Sequence, residues 1–568
     1  MSADTIGSSD PFQRALAAYK AGQFAEAERL CAEFRRSDPG HFDATSLLAV
    51  LQCRSGRHED ALASFDTMLA VRPDHAEAYL DRGLILQVLT RPSEALASYD
   101  KALAINTDYY AEAYNNRGTV LADLRRHEEA LESFDRALTI RPSYPDALHN
   151  RAMVLHRLAR LAEALAHYDA VLAMRPDDAD TLRRRSDVLR LLNRFEEALA
   201  SCEAALAIRP DMAEAHNNHG LILEELRRLP EALASFAKAQ ELAPDYAEAH
   251  WNEAALRLLT GEFLRGWAKY EWRWKRDGAV ALHDVSQPQW DGLASLYDKT
   301  ILLHGKGPLG EAILFCRYVP QVAARGAHII LDVPEPLRPV MRSLVGGAHV
   351  LSDGEKPPRF DLHCPLASLP RAFGTKLETI PSATPYLRAP TDALLAWEMR
   401  LGAKKRPRIG LAWTADPGNE NDRNISIALA ALLRPLTGEA TFLPLQKAPG
   451  PSDEALLKSQ SNIFDPTDMV GDLSDLAALV SRLDLVISID TALAHLAGAL
   501  GKPVWILLPF TPDWPWQLGR NTTSWYPTAR LYRQAKPGDW HDVIAKVAAD
   551  LPSLVARETS AQPLRNLL

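Results

Sequence analysis

A small polar group interrupts an otherwise apolar stretch, "LDLVISIDTALAHLAGALGKPVWILLP", at positions 483–509. Asp490 and Thr491 follow a run typical of a buried strand, and His495 lies one turn into an alanine-rich run typical of a helix. The first N–H groups of a helix lack intrahelical partners and carry partial positive charge, so anions bind there. The pattern predicts either an anion site, with Asp490 as an N-cap and Thr491 as a hydroxyl donor, or a capped helix with a core histidine.

A glycine loop forms a second candidate site, in "ILLHGKGPLGEAILF". Gly305, Gly307 and Gly310 form G-x-G-x-x-G between a predicted strand and a predicted helix, and Asp332 ends the next predicted strand. This is the spacing of a dinucleotide-binding fingerprint. However, Pro308 removes one N–H donor from the loop, and nothing downstream indicates a hydride-transfer site. Dinucleotide binding is therefore a minor alternative.

Four further residues lie after predicted strands near the same edge. Trp413 follows "RIGLA" and can stack on a base or sugar or belong to the core. Arg423 can pair with a phosphate or lie in a solvated loop. Gln446 and Lys447 end "FLPLQK", where the ammonium can neutralise a phosphate. No His, Cys or Asp spacing indicates a metal site, so we expect no metal and no bound cofactor.

The elements that must hold these residues are short apolar runs that alternate with helical stretches after residue 298. This alternation predicts parallel sheets with right-handed crossovers. We divide the region into a connector (277–297), a Rossmann-like block (298–388), a linker (389–404), a second Rossmann-like block (405–552) and a tail (553–568). Two Rossmann-like blocks across a linker describe the GT-B glycosyltransferase architecture.

The first half is a repeat array. Related phrases such as "EALASYD" and "EALESFD" place a leucine at 62, 96, 131, 165, 199 and 233, in steps of 34 or 35. A proline marker follows the same spacing, as in Pro142, Pro176 and Pro210. This period resembles the tetratricopeptide repeat, whose helical hairpins stack into an α-solenoid. We predict an N-terminal segment without order (1–7), seven repeats (8–246) and a degenerate capping hairpin (247–276).

Two features of the array concern partners. Aromatic residues of the capping hairpin, Trp267 and Tyr270 among them, predict a seal against the next domain, or else a stacking surface. One repeated position can hydrogen-bond an extended peptide backbone or be an ordinary solvated row. It is occupied by Asp81, Asn116, Asn150, Arg184, Asn218 and Asn252. A similar asparagine ladder is known in the protein O-linked N-acetylglucosamine transferases, so the resemblance implies a protein or peptide partner.

Composition narrows the class of protein. The net charge of −9 with 24% charged residues gives no basic surface for nucleic acid. There is no apolar run long enough for a membrane span and no signal-peptide pattern. The five cysteines are scattered and never spaced C-x-x-C. We therefore expect a cytoplasmic protein with free thiols.

Residues 260–550 resemble glycosyltransferase family nine, the ADP-heptose transferases, as found fused to bacterial tetratricopeptide repeats. The resemblance rests on "GEFLRGWAKYEWRW", "PQWDG", the glycine-loop segment, "NDRNISI" and above all the run from Asp484 to Gln534. In that family the turn after the equivalent strand holds a nucleotide-sugar diphosphate. The matching residues here are Asp490, Thr491, Ala492, Leu493 and His495, with Ala492 where glycine is usual.

The resemblance also implies a catalytic base. The family has Gly-Asp where this chain has Gly310 and Glu311, so Glu311 is the candidate base on an acceptor hydroxyl; otherwise it is a helix N-terminal acid. We expect an enzyme that transfers a sugar from a nucleotide-diphosphate donor, with the solenoid binding a protein acceptor or partner. The alternative from another class is an inactive transferase-like scaffold for protein–protein interactions.

Overall fold

The computed structural model describes residues 11–106, 111–276, 278, 285–352, 354–415, 425–436, 440–447 and 450–565, with side chains described as far as residue 556. The chain divides into two compact units, Met1–Pro210 and Asp211–Leu568. No helix in these ranges is both long enough and apolar enough to span a bilayer. The predicted N-terminal segment 1–7 and Arg423 lie outside the described residues.

The first unit is a series of helical hairpins. Successive hairpins begin at Phe42, Ala76, Ala111, Pro145 and Ala179, which repeats the 34- or 35-residue spacing of the sequence. The tetratricopeptide prediction is therefore confirmed. The helices are α1 (Pro11–Lys20), α2 (Phe24–Ser37), α3 (Phe42–Arg54), α4 (His58–Val71), α5 (Ala76–Val88), α6 (Pro92–Ile105), α7 (Ala111–Asp123), α8 (His127–Ile140), α9 (Pro145–Arg157), α10 (Leu161–Met174), α11 (Ala179–Leu191) and α12 (Phe195–Ile208).

Small residues set the distance between the helices of a hairpin. The Gly118 backbone lies beneath the buried Phe134 ring, where a Cβ would come within 2.7 Å of a ring carbon. Beside this contact, Arg117 donates hydrogen bonds to Asp100 at 2.7 Å and to the Ser133 hydroxyl at 2.6 Å. The glycine and the aromatic residue of the sequence repeat therefore correspond to a packing contact between the two helices of the hairpin.

Each hairpin turn contains a residue in the left-handed region. Glycine occupies this position at Gly22 and Gly56. The next five turns use other residues with φ between 55° and 60°, namely Thr90, Arg125, Ala159, Asn193 and Arg227, and the turn before the helix Phe263–Tyr270 has glycine again at Gly261. Asparagine is the non-glycine residue that tolerates this conformation best, so the turn itself does not require an arginine.

The second unit begins with two more hairpins, which complete the seven predicted repeats and the predicted capping hairpin. Their helices are α13 (Ala213–Glu225), α14 (Leu229–Leu242), α15 (Ala247–Leu259) and α16 (Phe263–Tyr270), followed by a short 3-10 turn at Glu271–Lys275.

A four-stranded parallel sheet follows, in the order β3-β2-β1-β4. Its strands are β1 (Thr300–His304), β2 (His328–Asp332), β3 (His349–Val350) and β4 (Leu362–Pro365). Its helices are α17 (Leu309–Phe315), α18 (Val319–Ala323), α19 (Arg338–Met341) and α20 (Leu369–Ala372). The chain moves outward from β1 to β3 and then returns to place β4 on the other side of β1.

The second sheet is parallel with five strands in the order β6-β5-β7-β8-β9. Its strands are β5 (Arg408–Ala412), β6 (Thr441–Pro444), β7 (Leu485–Ile489), β8 (Val504–Leu508) and β9 (Ala529–Arg533). The accompanying helices are α21 (Thr391–Leu401), α22 (Leu429–Leu433), α23 (Pro451–Ser459), α24 (Leu473–Ser481), α25 (Ala492–Ala499) and α26 (Trp540–Arg565). The predicted solenoid followed by an α/β region with two Rossmann-like sheets is confirmed.

The predicted tail differs from the structure. We placed the end of the second block at residue 552, whereas α26 continues to Arg565. The helix extends because Leu554 and Val555 still pack against the core of the second sheet. Elsewhere the strands of both sheets fall inside the predicted blocks 298–388 and 405–552, and α21 begins inside the predicted linker.

Candidate functional site in the second unit

The topology of the second sheet identifies a crevice. The chain leaves β5 toward β6 on one side and returns to β7 on the other side of β5. In open parallel sheets, ligands bind at such a switch point, outside the carboxyl ends of the two strands. Trp413 follows β5 at this edge, and Asp490 and Thr491 follow β7.

The turn between β7 and α25 has the geometry expected of a helix start. Thr491 is the N-cap residue in extended conformation (φ −144°, ψ 170°), and its hydroxyl lies 3.3 Å from that of Ser488. Ala492 is the first helical residue and is not among the described residues with positive φ, so alanine fits here without strain. From Asp490 to Leu493 the chain is half-buried, so the start of α25 remains partly open to solvent.

His495 is a core residue. Its ring stacks on Trp516 with centroids 5.2 Å apart, and its Nδ1 lies 2.9 Å from the Tyr526 hydroxyl. Burial, reinforced by the positive charge of Arg317, lowers the pKa of His495 to about 3. The imidazole is therefore neutral near pH 7 and brings no positive charge to an anion.

The glycine loop brings α17 against α25. A Cβ on Gly310 would lie 3.1 Å from the His495 ring and 3.4 Å from the Cα of Ala492. At Gly305 a Cβ would approach the Leu366 side chain to 2.6 Å. These two glycines therefore serve close packing within the unit, a role that the G-x-G-x-x-G spacing alone did not predict.

Asp332 is engaged inside the first sheet. Its carboxylate forms an ion pair with Lys306 at 3.1 Å, and its backbone oxygen accepts a hydrogen bond from Gly305. The side chain is almost fully buried. A ribose-binding acid must present its carboxylate to the ligand, so the geometry does not favour the dinucleotide alternative.

Glu311 lies at the start of α17 and has an unexpected partner. The buried hydroxyl of Tyr270, from the capping hairpin, donates a hydrogen bond to Glu311 Oε1 at 2.8 Å. Nothing in the sequence analysis linked these residues, which are 41 positions apart. The contact fixes one oxygen of the candidate base.

Asp513 is the residue that sequence reasoning missed. It follows β8, and its Oδ1 accepts a hydrogen bond from the backbone N–H of Trp514 at 2.7 Å. Its carboxyl group is solvent-accessible but densely surrounded by protein, and this desolvation, together with the nearby charge of Glu311, raises its pKa to about 6. A carboxyl group with a pKa raised in this way is a candidate for a functional site. The available signal was its place after a buried strand in "LLPFTPDWPW".

The other predicted donor-site residues separate into two groups. Trp413 belongs to the core of the second sheet, and its indole N–H donates to Asp453 at 3.1 Å, so no ring face is free for stacking. Gln446 accepts hydrogen bonds from the backbone N–H groups of Trp413 and Thr414 and thereby ties β6 to β5. Lys447 is exposed.

The predicted groove row makes hydrogen bonds between repeats. Asn150 donates to Asn115 at 3.0 Å, and in the second unit Asn252 donates to Asn217 at 2.9 Å. Arg184 instead donates to Asp180 within α11. At these positions the side chains stabilise the stacking of neighbouring hairpins, and peptide binding by the row stays a prediction.

Within the described ranges there is no group of three or more His, Cys, Asp or Glu side chains placed to hold a metal ion.

Family models match both halves of the chain. Tetratricopeptide-repeat models match residues 18–85, 74–143, 109–177, 149–213 and 203–247. The model "Glycosyltransferase family 9 (heptosyltransferase)" matches residues 452–512. That segment contains β7, the turn after it, α25 and β8.

Among curated proteins, the chain is similar to Protein FlbA of Caulobacter vibrioides, with 26% identity over 333 residues. The alignment covers 53% of this chain and 54% of that protein, so the chain spans about half the length of this relative.

Two solved structures are each similar to about a third of the chain. The tetratricopeptide protein YrrB, described as having an unusual peptide-binding site, is 25% identical and covers 33% of this chain and 95% of its own, with a TM-score of 0.29. Pseudomonas aeruginosa PilF is 20% identical and covers 36% of this chain and 94% of its own, with a TM-score of 0.33. Taken together, the chain has tetratricopeptide repeats across its N-terminal region and a segment matching glycosyltransferase family 9 near its C-terminus.

Proposed function

We propose that the α/β region transfers a sugar from a nucleotide-diphosphate donor to an acceptor hydroxyl, and that the solenoid binds the protein acceptor or a partner protein. The observation that carries the proposal is that Asp513 lies close enough to Glu311, at the start of α17, for the charge of Glu311 to act on its carboxyl group. Sugar transfer to a hydroxyl needs a group that removes the hydroxyl proton, and a base works best when its pKa is near the working pH. Asp513 meets that condition.

The donor side of the proposal rests on α25. Its N-terminus supplies backbone N–H donors and partial positive charge to a diphosphate, and Thr491 adds a hydroxyl. With His495 neutral, the exposed Lys447 is the cationic candidate among the described residues predicted for the donor site. Basic groups and N–H donors can stabilise a leaving diphosphate by themselves, so the proposed reaction uses no metal.

The first experiment is calorimetric titration of the full chain with ADP, UDP, GDP and their sugar conjugates. We expect one conjugate to bind with a Kd on the order of micromolar, which corresponds to a binding free energy of about −8 kcal/mol. Thr491→Ala should weaken binding several-fold, whereas Thr391→Ala, a matched change at the exposed start of α21, should not. Asp513→Asn should leave donor binding intact and abolish transfer of the sugar to the acceptor hydroxyl.

A second candidate function is a transferase-like scaffold without activity. It is favoured by the close approach of Gly310 to Ala492 and His495, because α17 then covers part of the helix start that a diphosphate would contact. Failure of every nucleotide and conjugate to bind the full chain would contradict sugar transfer and support the scaffold.

A further inference from the structure

A cavity of about 270 Å³ lies in the second unit, and its lining includes no residue of the β5–β7 crevice. It is at the carboxyl ends of β8 and β9, next to the turn between α13 and α14. The residues that line it are Arg227, Phe510, Leu518, Gly519, Arg533 and Gln534. Two of these six are arginines and none is acidic.

Arg533 presents a fixed guanidinium group to this cavity. Its Nε donates to the Arg520 carbonyl at 2.8 Å, and its Nη2 donates to the Trp516 carbonyl at 2.5 Å. These bonds hold the fork in place, while Nη1 is buried and has no hydrogen-bond partner in the described chain. The Nη1 group of Arg533 is therefore a fixed donor without an acceptor among the described residues.

Arg227 is held in the same manner from the repeat side. Its Nη2 donates to the Phe510 carbonyl, and its guanidinium carbon lies 4.4 Å from the centre of the Phe510 ring. Its Nη1 is also buried and has no hydrogen-bond partner among the residues that the structure describes. The turn does not require this side chain, because Asn193 occupies the equivalent left-handed position one repeat earlier.

Gln534 supplies a third donor. Its Oε1 accepts hydrogen bonds from the backbone N–H groups of Phe510 at 3.1 Å and Gly538 at 3.0 Å. These bonds fix the orientation of the amide, and its Nε2 has no hydrogen-bond partner within the described part of the chain. The side chain is 5% exposed, so the unpartnered donor is a buried one.

The electrostatics of the cavity favour an anion. Burial, together with the charge of Arg227, lowers the pKa of Arg533 to about 10. Burial also lowers the pKa of Arg227, although Glu224 and Glu225 of α13 act in the opposite direction. Buried donors without partners cost about 1–3 kcal/mol each, and more when charged, so an anion that accepts from all three would stabilise the site.

We propose that this cavity binds a phosphoryl group, either inorganic phosphate or a small phosphate monoester. Two guanidinium groups in a lining without an acid suit a phosphoryl group, which can carry two negative charges and accept forked hydrogen bonds from arginine. None of the residues that line the cavity is among those proposed to bind the nucleotide sugar or to act as the base, so the proposal does not rest on the transferase activity.

The test is calorimetric titration of the full chain with inorganic phosphate and, separately, with glycerol 3-phosphate, at constant ionic strength set with chloride. We expect saturable binding at one site per chain. Tighter binding of inorganic phosphate would identify the free anion as the ligand, and tighter binding of glycerol 3-phosphate would identify a phosphate monoester. Arg227→Asn should weaken it at least tenfold. Arg125→Asn, the same change at the equivalent exposed turn position, should bind as the wild type does.

A second variant covers the possibility that a turn substitution perturbs folding. Gln534→Glu keeps the acceptor oxygen for Phe510 and Gly538 but replaces the free N–H donor with a carboxylate oxygen, so it should abolish phosphate binding. Absence of saturable binding by both phosphates would overturn the proposal. Wild-type affinity in Arg227→Asn or in Gln534→Glu would do so as well, because the phosphate would then bind elsewhere.

Discussion

At the scale of single residues, the chemistry of the second unit depends on side chains whose pKa the surrounding protein shifts. Asp513 and His495 lie close to the meeting of α17 and α25 and are shifted in opposite directions. Desolvation disfavours the charged form in both cases, which raises the pKa of the acid and lowers the pKa of the base. Asp513 is thereby suited to accept a proton near neutral pH, whereas His495 stays neutral there.

The shift at Asp513 predicts a pH-dependent stability. Its folded-state pKa of about 6 is above the ordinary value of 3.8, so the folded state holds a proton that the unfolded state releases. The free energy of unfolding of the wild type, relative to that of Asp513→Asn, should therefore fall as the pH rises from 3.8 to about 6, and it should remain constant below pH 3.8. Urea unfolding of both proteins at a series of pH values measures this.

Asparagine keeps the acceptor for the Trp514 N–H, so that variant isolates the charge. Asp177→Asn, at an exposed site in the first unit, serves as the control and should show no such trend. A pH-independent difference between wild type and Asp513→Asn would contradict the raised pKa.

The shift at His495 predicts the opposite sign. Its folded-state pKa of about 3 is below the ordinary 6.5, so unfolding takes up a proton in between. Wild-type stability should decrease as the pH falls below 6.5, by at most about 1.4 kcal/mol per pH unit. His495→Gln should lose this part of the slope, as measured by urea unfolding.

His541→Gln replaces an exposed histidine at the start of α26 and should retain the wild-type slope. If His495→Gln and the wild type show the same slope, His495 is not buried in its neutral form.

At the scale of elements, the hairpins are built from glycine–aromatic contacts that recur along the repeat. The Gly83 backbone meets Tyr99, Gly118 meets Phe134 and, in the second unit, Gly220 meets the Phe236 ring. In each pair a Cβ would come within 2.7 Å of the ring, closer than atoms pack in protein interiors. Neighbouring helices therefore depend on the missing side chain for their spacing.

Gly118→Ala should consequently destabilise the first unit, despite the higher helix propensity of alanine. Overpacking against the buried Phe134 ring should cost about 1–3 kcal/mol, which outweighs the gain of about 1 kcal/mol in propensity. Thermal unfolding followed by circular dichroism measures the loss.

Gly40→Ala is the matched control, because its Cβ would have no neighbour closer than 3.9 Å. Phe134→Leu combined with Gly118→Ala should recover part of the stability. Equal stability of Gly118→Ala and the wild type would show that the helices do not need this close contact.

At the scale of the whole molecule, the second unit unites the last repeats with both sheets. The buried Trp267 of α16 packs edge-on against Trp514 at 5.2 Å and against Phe315 at 6.1 Å, and its indole N–H donates to the Thr375 carbonyl. The predicted seal between the capping hairpin and the next domain is confirmed for this residue. The same hairpin carries Tyr270 to Glu311, so it belongs structurally to the α/β region.

Trp267→Ala should therefore uncouple the capping hairpin from the sheets. Removing a buried tryptophan costs about 3–5 kcal/mol, and we expect the backbone amides of α15 and α16 to lose protection in hydrogen exchange. Trp272→Ala is the matched control, since Trp272 stacks on His250 inside the hairpin region itself. Equal protection in Trp267→Ala and the wild type would contradict the coupling.

The sequence by itself determined the repeat array, the strand–helix alternation and the position of the turn at Asp490. These features follow from local periodicity, because each hairpin contacts its neighbours and each strand is followed by its own crossover. The same local patterns left the roles of His495, Trp413 and Gln446 open, since an identical pattern is compatible with a ligand contact or with the core.

Only the tertiary structure decided which distant residues share one environment. Asp513 lies near Glu311 across about 200 positions, Tyr270 meets Glu311 across 41, and Arg227 contacts Phe510 across 283. Desolvation and charge–charge interaction depend on distance in space and on the surrounding atoms, and a spacing along the chain specifies neither. For that reason the turn could be found from sequence, whereas the carboxyl pair and the arginine-lined cavity required the fold.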